Sequence, residues 1–212
     1  MANTEGIRLE FSSGRPSVTT LADVNDALSP FGSRVWPLDL RSTPADIQEL
    51  LKRPTLTDLE AERVKAHFLL SRGRLLEIIA EAGRTPQVPD GGELSTLDST
   101  HGIIYPQLYV LVPGVDYSRF DRFHVNTADD GTGVDEVMQL LSGGGIRILQ
   151  RLPDKGVVTL HLDCPAQDRG WVVTYDGGYP HIGSISGARA GTKSLVQVIG
   201  PARWVMRYED EA

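Results

Sequence analysis

The sequence predicts a mainly β protein with a helical N-terminal half. Residues 20–85 show helical periodicity and recognisable helix caps, whereas residues 86–101 are polar and rich in turn-forming residues. Beyond them the chain changes to short apolar runs separated by glycine, a pattern typical of an all-β sandwich or barrel. We therefore expect a helical N-terminal region over residues 1–100, packed on a β-barrel domain over residues 101–212.

The helices of the N-terminal region are predicted from side chains that can cap them. Thr20 precedes one short helix and Thr43 precedes a second. Thr57 and Glu60 have the spacing of a capping box and open a long helix through DLEAERVKAHFLLSRGRLLEIIAEAG. Gly73 lies inside this helix, and we expect the helix to bend or break there.

Nine short strands are predicted after the linker formed by residues 86–101. They are short runs typical of β-strands, and glycine residues punctuate them. In chain order they are IIYPQLYVLV, SRFDRFHV, DEVMQLLS, IRILQR, VVTLHL, WVVTY, HIGSI, SLVQVIG and ARWVMRY.

The composition excludes several classes of protein. The chain has 212 residues with 28 acidic and 21 basic ones, so it lacks the basic surface of a nucleic-acid-binding protein. The single cysteine, Cys164, excludes a disulfide framework and a cysteine-rich zinc site. No apolar run reaches the length of a membrane span, and the first residues lack the pattern of a signal peptide. We expect a cytoplasmic protein that binds neither nucleic acid nor membrane.

Four polar residues of the β domain form a candidate metal site. Glu136 begins the apolar run EVMQLLS, and His181 opens the strand after the turn DGG. His124 and Asn126 are two residues apart in RFHVN and therefore lie on one face of a strand. Alternate residues of barrel strands point inward, so these side chains can meet inside the barrel. Because an unpaired buried carboxylate is costly, an inward Glu136 implies a cation.

Two patterns in this domain resemble the signature motifs of the cupin superfamily. The first is E-x6-G from Glu136 to Gly143, and the second is G-x5-D-x-G-x2-H from Gly170 to His181. Within the cupins, the stretches DEVMQLLSGGG, SLVQVIGPARWVMRY and LADVNDALSPFGSRVWPL resemble the acireductone dioxygenase group. The resemblance covers most of the chain loosely and residues 120–208 best. It implies a double-stranded β-helix, the cupin or jelly-roll barrel.

The chain departs from the cupin pattern in both motifs. The family places two histidines four and six residues before the glutamate, where this chain has Thr132 and Asp130. The second motif usually carries proline where this chain has Asp176. If the stretch TADDGTGV is a small insertion, His124 and Asn126 take the positions of the two family histidines.

The resemblance then implies a metal site formed by His124, Glu136 and His181. It leaves open whether Asn126 or Asp130 is a fourth ligand, and a second register would place Asp130 where His124 stands. Few protein ligands leave positions open on the ion, and the resemblance implies Fe2+ or Ni2+ there. The implied activity is that of a dioxygenase-like oxidoreductase on a small enolisable carbonyl compound, with Glu136 as a catalytic residue. Many cupins pair, so a homodimer is also expected.

Two other functions stay open on the sequence. The chain could be a cupin isomerase, epimerase, lyase or cyclase of specialised metabolism, in which a metal or a bare histidine moves a proton or stabilises an enolate. It could also be a cupin that binds a ligand without catalysis. Outside the motifs, we expect a structural role for His161, and no catalytic role for Cys164 because no base stands near it in sequence.

Overall fold

The computed structural model describes residues 5–99, 122–152, 156–184 and 188–209. Within these ranges the chain forms four α-helices and eleven β-strands. The helices are α1 (Leu21–Leu28), α2 (Ala45–Lys52), α3 (Asp58–Phe68) and α4 (Arg72–Glu81). The strands are β1 (Ile7–Phe11), β2 (Arg34–Asp39), β3 (Gly92–Ser99), β4 (His124–Thr127), β5 (Asp135–Ser142), β6 (Gly144–Arg151), β7 (Val157–Asp163), β8 (Arg169–Asp176), β9 (His181–Ser184), β10 (Lys193–Gly200) and β11 (Val205–Tyr208).

The strands form two antiparallel sheets, which confirms the mainly β class with helices in the N-terminal half. The first sheet has six strands in the order β1-β7-β6-β9-β4-β11, and the second has five in the order β2-β8-β5-β10-β3. Strands β1, β2 and β3 belong to the first hundred residues and pair with β7, β8 and β10. The N-terminal region therefore contributes strands to both sheets as well as helices. Its separation from the rest of the chain at residue 100 stays a prediction.

The linker predicted over residues 86–101 is wrong for half of its length. Residues Gly92–Ser99 form β3, which pairs with β10 along all eight residues. The stretch ELSTLDS has little β propensity of its own, so pairing with a neighbouring strand overrides its local preference. The predicted strand IIYPQLYVLV and the first half of SRFDRFHV lie outside the described residues.

Apolar side chains from both sheets fill the space between them. In β6 and β7 buried and more exposed residues alternate, as expected when one face of a sheet meets the core. The inward residues of strands β5 to β8 form one cluster: Met138, Leu140, Ile146, Ile148, Val158, Leu160, Trp171 and Val173.

The outer face of the second sheet is covered by helices. Leu141 and Leu195 pack in one cluster with side chains of α2 and α3, while Val137 packs with side chains of α4. Strand β5 is consequently buried on both faces, and each of its residues from Asp135 to Leu141 is buried. None of the helices in the described part of the chain is long and apolar enough to cross a membrane.

Helices α3 and α4 replace the single long helix predicted from the sequence. The capping box at Thr57 is confirmed, but α3 ends before Leu70 and a new helix starts with Ser71 as its N-cap. The break therefore precedes Gly73. The side-chain amide of Gln197 on β10 accepts from the backbone N–H of Leu70 at 2.8 Å and donates to its carbonyl at 3.1 Å. These two hydrogen bonds satisfy backbone groups that a continuous helix would have paired internally.

Lys193 is a fully buried cation that joins α2 to the second sheet. Its Nζ donates to the carbonyl oxygens of Leu51 at 3.2 Å, Arg53 at 2.5 Å and Gly191 at 2.9 Å. The first two carbonyls lie at the end of α2, where helix acceptors lack intrahelical donors and carry partial negative charge. Burial lowers the pKa of Lys193 to about 8, so the ammonium is still mostly protonated at neutral pH.

Replacing Lys193 should destabilise the fold without touching the candidate site. Lys193→Met keeps a long apolar side chain but removes all three donors, and we expect the free energy of unfolding to fall by about 1–3 kcal/mol. The control is Lys52→Met, which removes a surface lysine of α2 paired with Glu49 and should change stability by less than about 0.5 kcal/mol. Urea titration measures both; equal midpoints for parent and Lys193→Met would contradict the role of this contact.

Candidate functional site

Five polar side chains meet in the space between the two sheets. Glu136 on β5 and Tyr175 on β8 come from the second sheet, where they are direct cross-strand partners. His124 and Asn126 on β4 and His181 on β9 come from the first sheet, where the two histidines are paired. All five are nearly inaccessible to solvent. Glu136 points the same way as Met138 and Leu140 of the apolar core, because alternate strand residues share a face.

Glu136 is the centre of this cluster. Its Oε1 accepts a hydrogen bond from Asn126 Nδ2 at 2.7 Å and lies 3.3 Å from His181 Nε2. Its Oε2 accepts from the hydroxyl of Tyr175 at 3.0 Å. Both carboxylate oxygens therefore have polar partners, although Met138 and Leu140 on the same face of the strand belong to the apolar core.

Both histidines present the same ring nitrogen to the site. Nδ1 of His124 lies 2.7 Å from the carbonyl oxygen of Arg122, and Nδ1 of His181 lies 2.8 Å from that of Tyr179. A carbonyl oxygen only accepts, so Nδ1 carries the hydrogen in each ring. In a neutral ring Nε2 is then the nitrogen with the lone pair. The ring centroids of the two histidines are 4.4 Å apart.

The three ionisable groups of the site have shifted pKa values. Burial alone would raise the pKa of Glu136, but attraction to His181 and hydrogen bonds from His181 and Asn126 outweigh it, and the pKa falls to about 2. Burial and repulsion from His181 lower the pKa of His124 to about 4. Burial would also lower the pKa of His181, but the charge and hydrogen bond of Glu136 raise it. At neutral pH, Glu136 is thus ionised and His124 is neutral.

Asn126, and not Asp130, accompanies these groups. Asn126 Oδ1 is buried and has no hydrogen-bond partner among the described residues, while its Nδ2 is fixed on Glu136. Asp130 is exposed, and its Oδ1 accepts from the backbone N–H of Thr132 at 2.9 Å. The second register, with Asp130 in place of His124, is therefore wrong. The short side chain of Asp130 stabilises a turn at the surface.

The stretch TADDGTGV forms the turn that brings His124 and Asn126 beside Glu136. Ala128 N–H donates to the carbonyl of Thr132 at 2.8 Å, so the loop closes on itself. At its base, Val134 N–H donates to the carbonyl of Asn126 at 3.2 Å. If this stretch is an insertion, as the sequence suggested, Asn126 takes the position of a family histidine and should lie beside Glu136. The hydrogen bond between Asn126 and Glu136 agrees with this.

Backbone and side chains of neighbouring elements hold Glu136 in place. The hydroxyl of Thr174 donates to the carbonyl oxygen of Glu136 at 2.7 Å. A Cβ at Gly177 would lie 2.6 Å from Glu136 Oε1, so a larger residue there would displace the carboxylate. Arg84, in the segment after α4, donates to Thr174 Oγ1 at 2.9 Å and to Asp135 Oδ1 at 3.0 Å. The helical region is thus tied to the strands that carry the site.

The distance between His181 Nε2 and Glu136 Oε1 fits two ligands of one ion. Metal–ligand bonds of about 2.0–2.2 Å place neighbouring ligands roughly 3.0–3.5 Å from each other, and the observed separation is 3.3 Å. As the side chains stand, however, no three His, Cys, Asp or Glu residues in the described ranges are arranged so that they could hold a metal ion together. The structure brings His124, Glu136 and His181 together, and their role as metal ligands stays a prediction.

Sequence reasoning missed Tyr175 as a member of this cluster. It follows Trp171 and Val173 with the two-residue spacing of the inward face of β8, which is a signal for its position. The sequence did not indicate its contact with the polar cluster, because an aromatic residue in a strand is normally part of the apolar core. Only the cross-strand pairing with Glu136 reveals that its hydroxyl reaches a carboxylate.

Two residues outside the cluster have other partners. His161 Nε2 lies 2.8 Å from Glu10 Oε2 between β7 and β1, a contact that joins two neighbouring strands. Burial raises the pKa of the Cys164 thiol to about 12, so the reactive thiolate is disfavoured at neutral pH.

Comparison with known proteins gives one informative likeness. No protein-family model matches the sequence, and no curated protein matches it. Among solved structures, the chain is similar to an acireductone dioxygenase from Bacillus anthracis, with a cadmium ion in its active centre. The TM-score is 0.54 and the sequence identity is 15%, over 95% of this chain and 97% of that one. The resemblance to the acireductone dioxygenase group is therefore confirmed as a likeness of fold.

Proposed function

We propose that this protein is a metal-dependent cupin enzyme, a dioxygenase-like oxidoreductase that acts on a small enolisable carbonyl compound. His124, Glu136 and His181 would hold a divalent ion, Fe2+ or Ni2+, between the two sheets. Asn126 Oδ1 is the additional oxygen available to the ion. The two sheets would form the double-stranded β-helix barrel expected from the cupin motifs.

The fixed ring orientation of the two histidines is the observation that carries this proposal. In metalloproteins, a ligating histidine almost always donates its other N–H to a carbonyl or carboxylate, which fixes the tautomer. Here both rings donate Nδ1–H to backbone carbonyls two residues away. In a neutral ring, the lone pair of Nε2 is then available beside an ionised, buried Glu136. Two imidazoles and one carboxylate are the ligands of many non-haem iron oxygenases.

Each residue of the site would have a distinct task. A bound divalent ion would polarise a substrate through two of its oxygens and favour its enediolate form. Glu136 supplies the negative charge, and Asn126 and Tyr175 fix the orientation of its carboxylate by hydrogen bonds. The apolar residues of β5 and β8 limit the access of water, which strengthens electrostatic interactions within the site.

The remaining expectations belong to the same proposal. The partner would be a small-molecule substrate, the protein would act in the cytoplasm, and two copies would form a homodimer. The solved neighbour carries a divalent metal in its active centre, which supports a divalent ion here.

Metal content and oxygen uptake test the activity directly. Protein purified without chelator is analysed for metals, and the Fe2+-loaded form is then incubated with acetylacetone, a β-dicarbonyl, in an oxygen electrode. We expect equimolar binding of metal and oxygen consumption that depends on acetylacetone. Metal binding without oxygen uptake would favour the isomerase class, and absence of metal binding would contradict the proposed centre.

The contact between His181 and Glu136 favours a second candidate, an isomerase that needs no metal. An imidazolium and a carboxylate 3.3 Å apart form an acid–base pair. Glu136 would accept the proton on the carbon next to a carbonyl while His181 donates a proton to the carbonyl oxygen, which gives the enediol. Protonation of the enediol at the neighbouring carbon would then move the carbonyl group to the other position.

Hydrogen exchange separates the two candidates. Chelator-treated protein is incubated with dihydroxyacetone in heavy water, and exchange of carbon-bound hydrogen is followed by NMR. The isomerase predicts exchange, and the metal-dependent candidate predicts none.

Removal of one imidazole should empty the site. His181→Ala leaves an apolar core that does not depend on metal, so we expect a folded protein that binds no Fe2+ or Ni2+. Asn126→Ala should retain the ion with an affinity weakened by about 10- to 100-fold, the usual effect of losing a partner of a ligand. Bound metal and the thermal midpoint are measured for both variants, and full occupancy in folded His181→Ala would refute the site.

Metal affinity should depend on pH through His181. Nε2 of His181 must lose its proton before it can bind an ion, and Glu136 raises the pKa of that ring. We expect affinity for Ni2+ to increase about tenfold per pH unit below this pKa and to level off above it. Calorimetric titration from about pH 5 to about pH 8 measures it. His161→Gln, which changes a histidine paired with Glu10, should reproduce the parent profile; a flat profile in the parent would contradict the prediction.

A further inference from the structure

The two oxygens of Glu136 have different surroundings. Oε1 faces His181 Nε2 at 3.3 Å and accepts from Asn126. Oε2 accepts from the hydroxyl of Tyr175 at 3.0 Å. Oε1 thus lies on the side of the candidate metal ligand His181, and Oε2 is hydrogen-bonded to the phenol of Tyr175.

The surroundings of Tyr175 hold its hydroxyl in place at Oε2 of Glu136. It lies inside β8, directly opposite Glu136 in the pairing with β5, and it is 4% exposed. Its ring packs on that of His181 with 5.2 Å between the centroids. The preceding residue, Thr174, binds the backbone carbonyl of Glu136. A side chain fixed on a central strand and packed on one face positions its polar group more precisely than a loop residue does.

We infer that Tyr175 is a positioning residue that makes Glu136 a ligand through one oxygen only. This inference rests on the proposed metal centre. A carboxylate binds metals through one or both oxygens, and a hydrogen bond from Tyr175 keeps Oε2 from the ion. The coordination position that Oε2 would otherwise occupy stays open. A substrate that chelates a metal through two oxygen atoms needs such adjacent open positions. Tyr175 therefore makes the site selective for ligands that chelate through two oxygens, such as enediolates and β-dicarbonyls.

Tyr175→Phe removes the hydroxyl alone and releases Oε2. The matched control is Tyr208→Phe, which also removes a hydroxyl from a buried tyrosine near the site. Tyr208 is the cross-strand partner of His124, and its hydroxyl lies 3.1 Å from Met206 Sδ. A merely structural role of buried tyrosine hydroxyls would affect both variants in a similar way.

Co2+ is the probe, because the intensity of its visible absorption falls as its coordination number rises. Parent, Tyr175→Phe and Tyr208→Phe are loaded with Co2+ and titrated with azide, which fills open positions. We expect Tyr175→Phe to bind Co2+ with weaker visible bands, and to bind azide with an affinity reduced on the order of tenfold. Tyr208→Phe should match the parent in both measurements.

An infrared measurement on the parent tests the same inference without a variant at position 175. Metal-minus-apo difference spectra of protein labelled with 13C-glutamate give the separation of the two carboxylate stretches, which is wide for binding through one oxygen and narrow for two. Glu136→Gln identifies the band. We expect the wide separation.

Each other outcome overturns the inference. A narrow separation in the parent, identical spectra for parent and Tyr175→Phe, or equal changes in both tyrosine variants would show that Tyr175 does not set the binding mode. A folded Tyr175→Phe protein that binds no Co2+ would show that the hydroxyl is needed for binding itself. A parent that binds no Co2+ would overturn the proposed metal centre as well, and this result is distinct from the others.

Discussion

An ionised carboxylate between two apolar sheets is the constraint around which the site is organised. Transfer of an unpaired carboxylate from water to such surroundings costs several kcal/mol, so the chain must supply compensating groups. It does so with a neutral amide from Asn126, a phenol from Tyr175 and an imidazole from His181. Only the imidazole can bring positive charge, and it does so when both of its ring nitrogens are protonated. A divalent ion would provide the same compensation with more charge and without that proton.

The fold distributes this task between the two sheets. The sheet that carries Glu136 is covered by helices on its outer face and is therefore buried on both sides. Its outward polar residues attach the helices to the sheet. Gln197 binds the backbone of Leu70 between α3 and α4, and Gln139 donates to the carbonyl of Phe68. The other sheet supplies both histidines. The relative position of the two sheets therefore sets the distance between the carboxylate and the imidazoles, and the packed core of both sheets fixes it.

Much of the fold class could be predicted from periodicity, since alternation and glycine spacing identified the seven strands from β5 to β11. Strand β3 could not, because its sequence carries little β propensity and is ordered by its partner β10. The break before Gly73 depends on a glutamine more than a hundred residues away. Within the site, residue types and motif order brought together His124, Glu136 and His181. The hydroxyl of Tyr175 was invisible because aromatic residues in strands usually serve packing alone.

The loop between Asn126 and Glu136 is closed by its own hydrogen bonds, so contacts at its base hold its two ends together. Residues could be added or removed at its exposed tip while the groups that meet below it keep their places. Searches that demand a fixed interval between the histidine-containing strand and the glutamate would pass over such chains. For protein engineering, the same tip is a place for inserting a peptide or a fluorophore attachment point close to the site without rebuilding it.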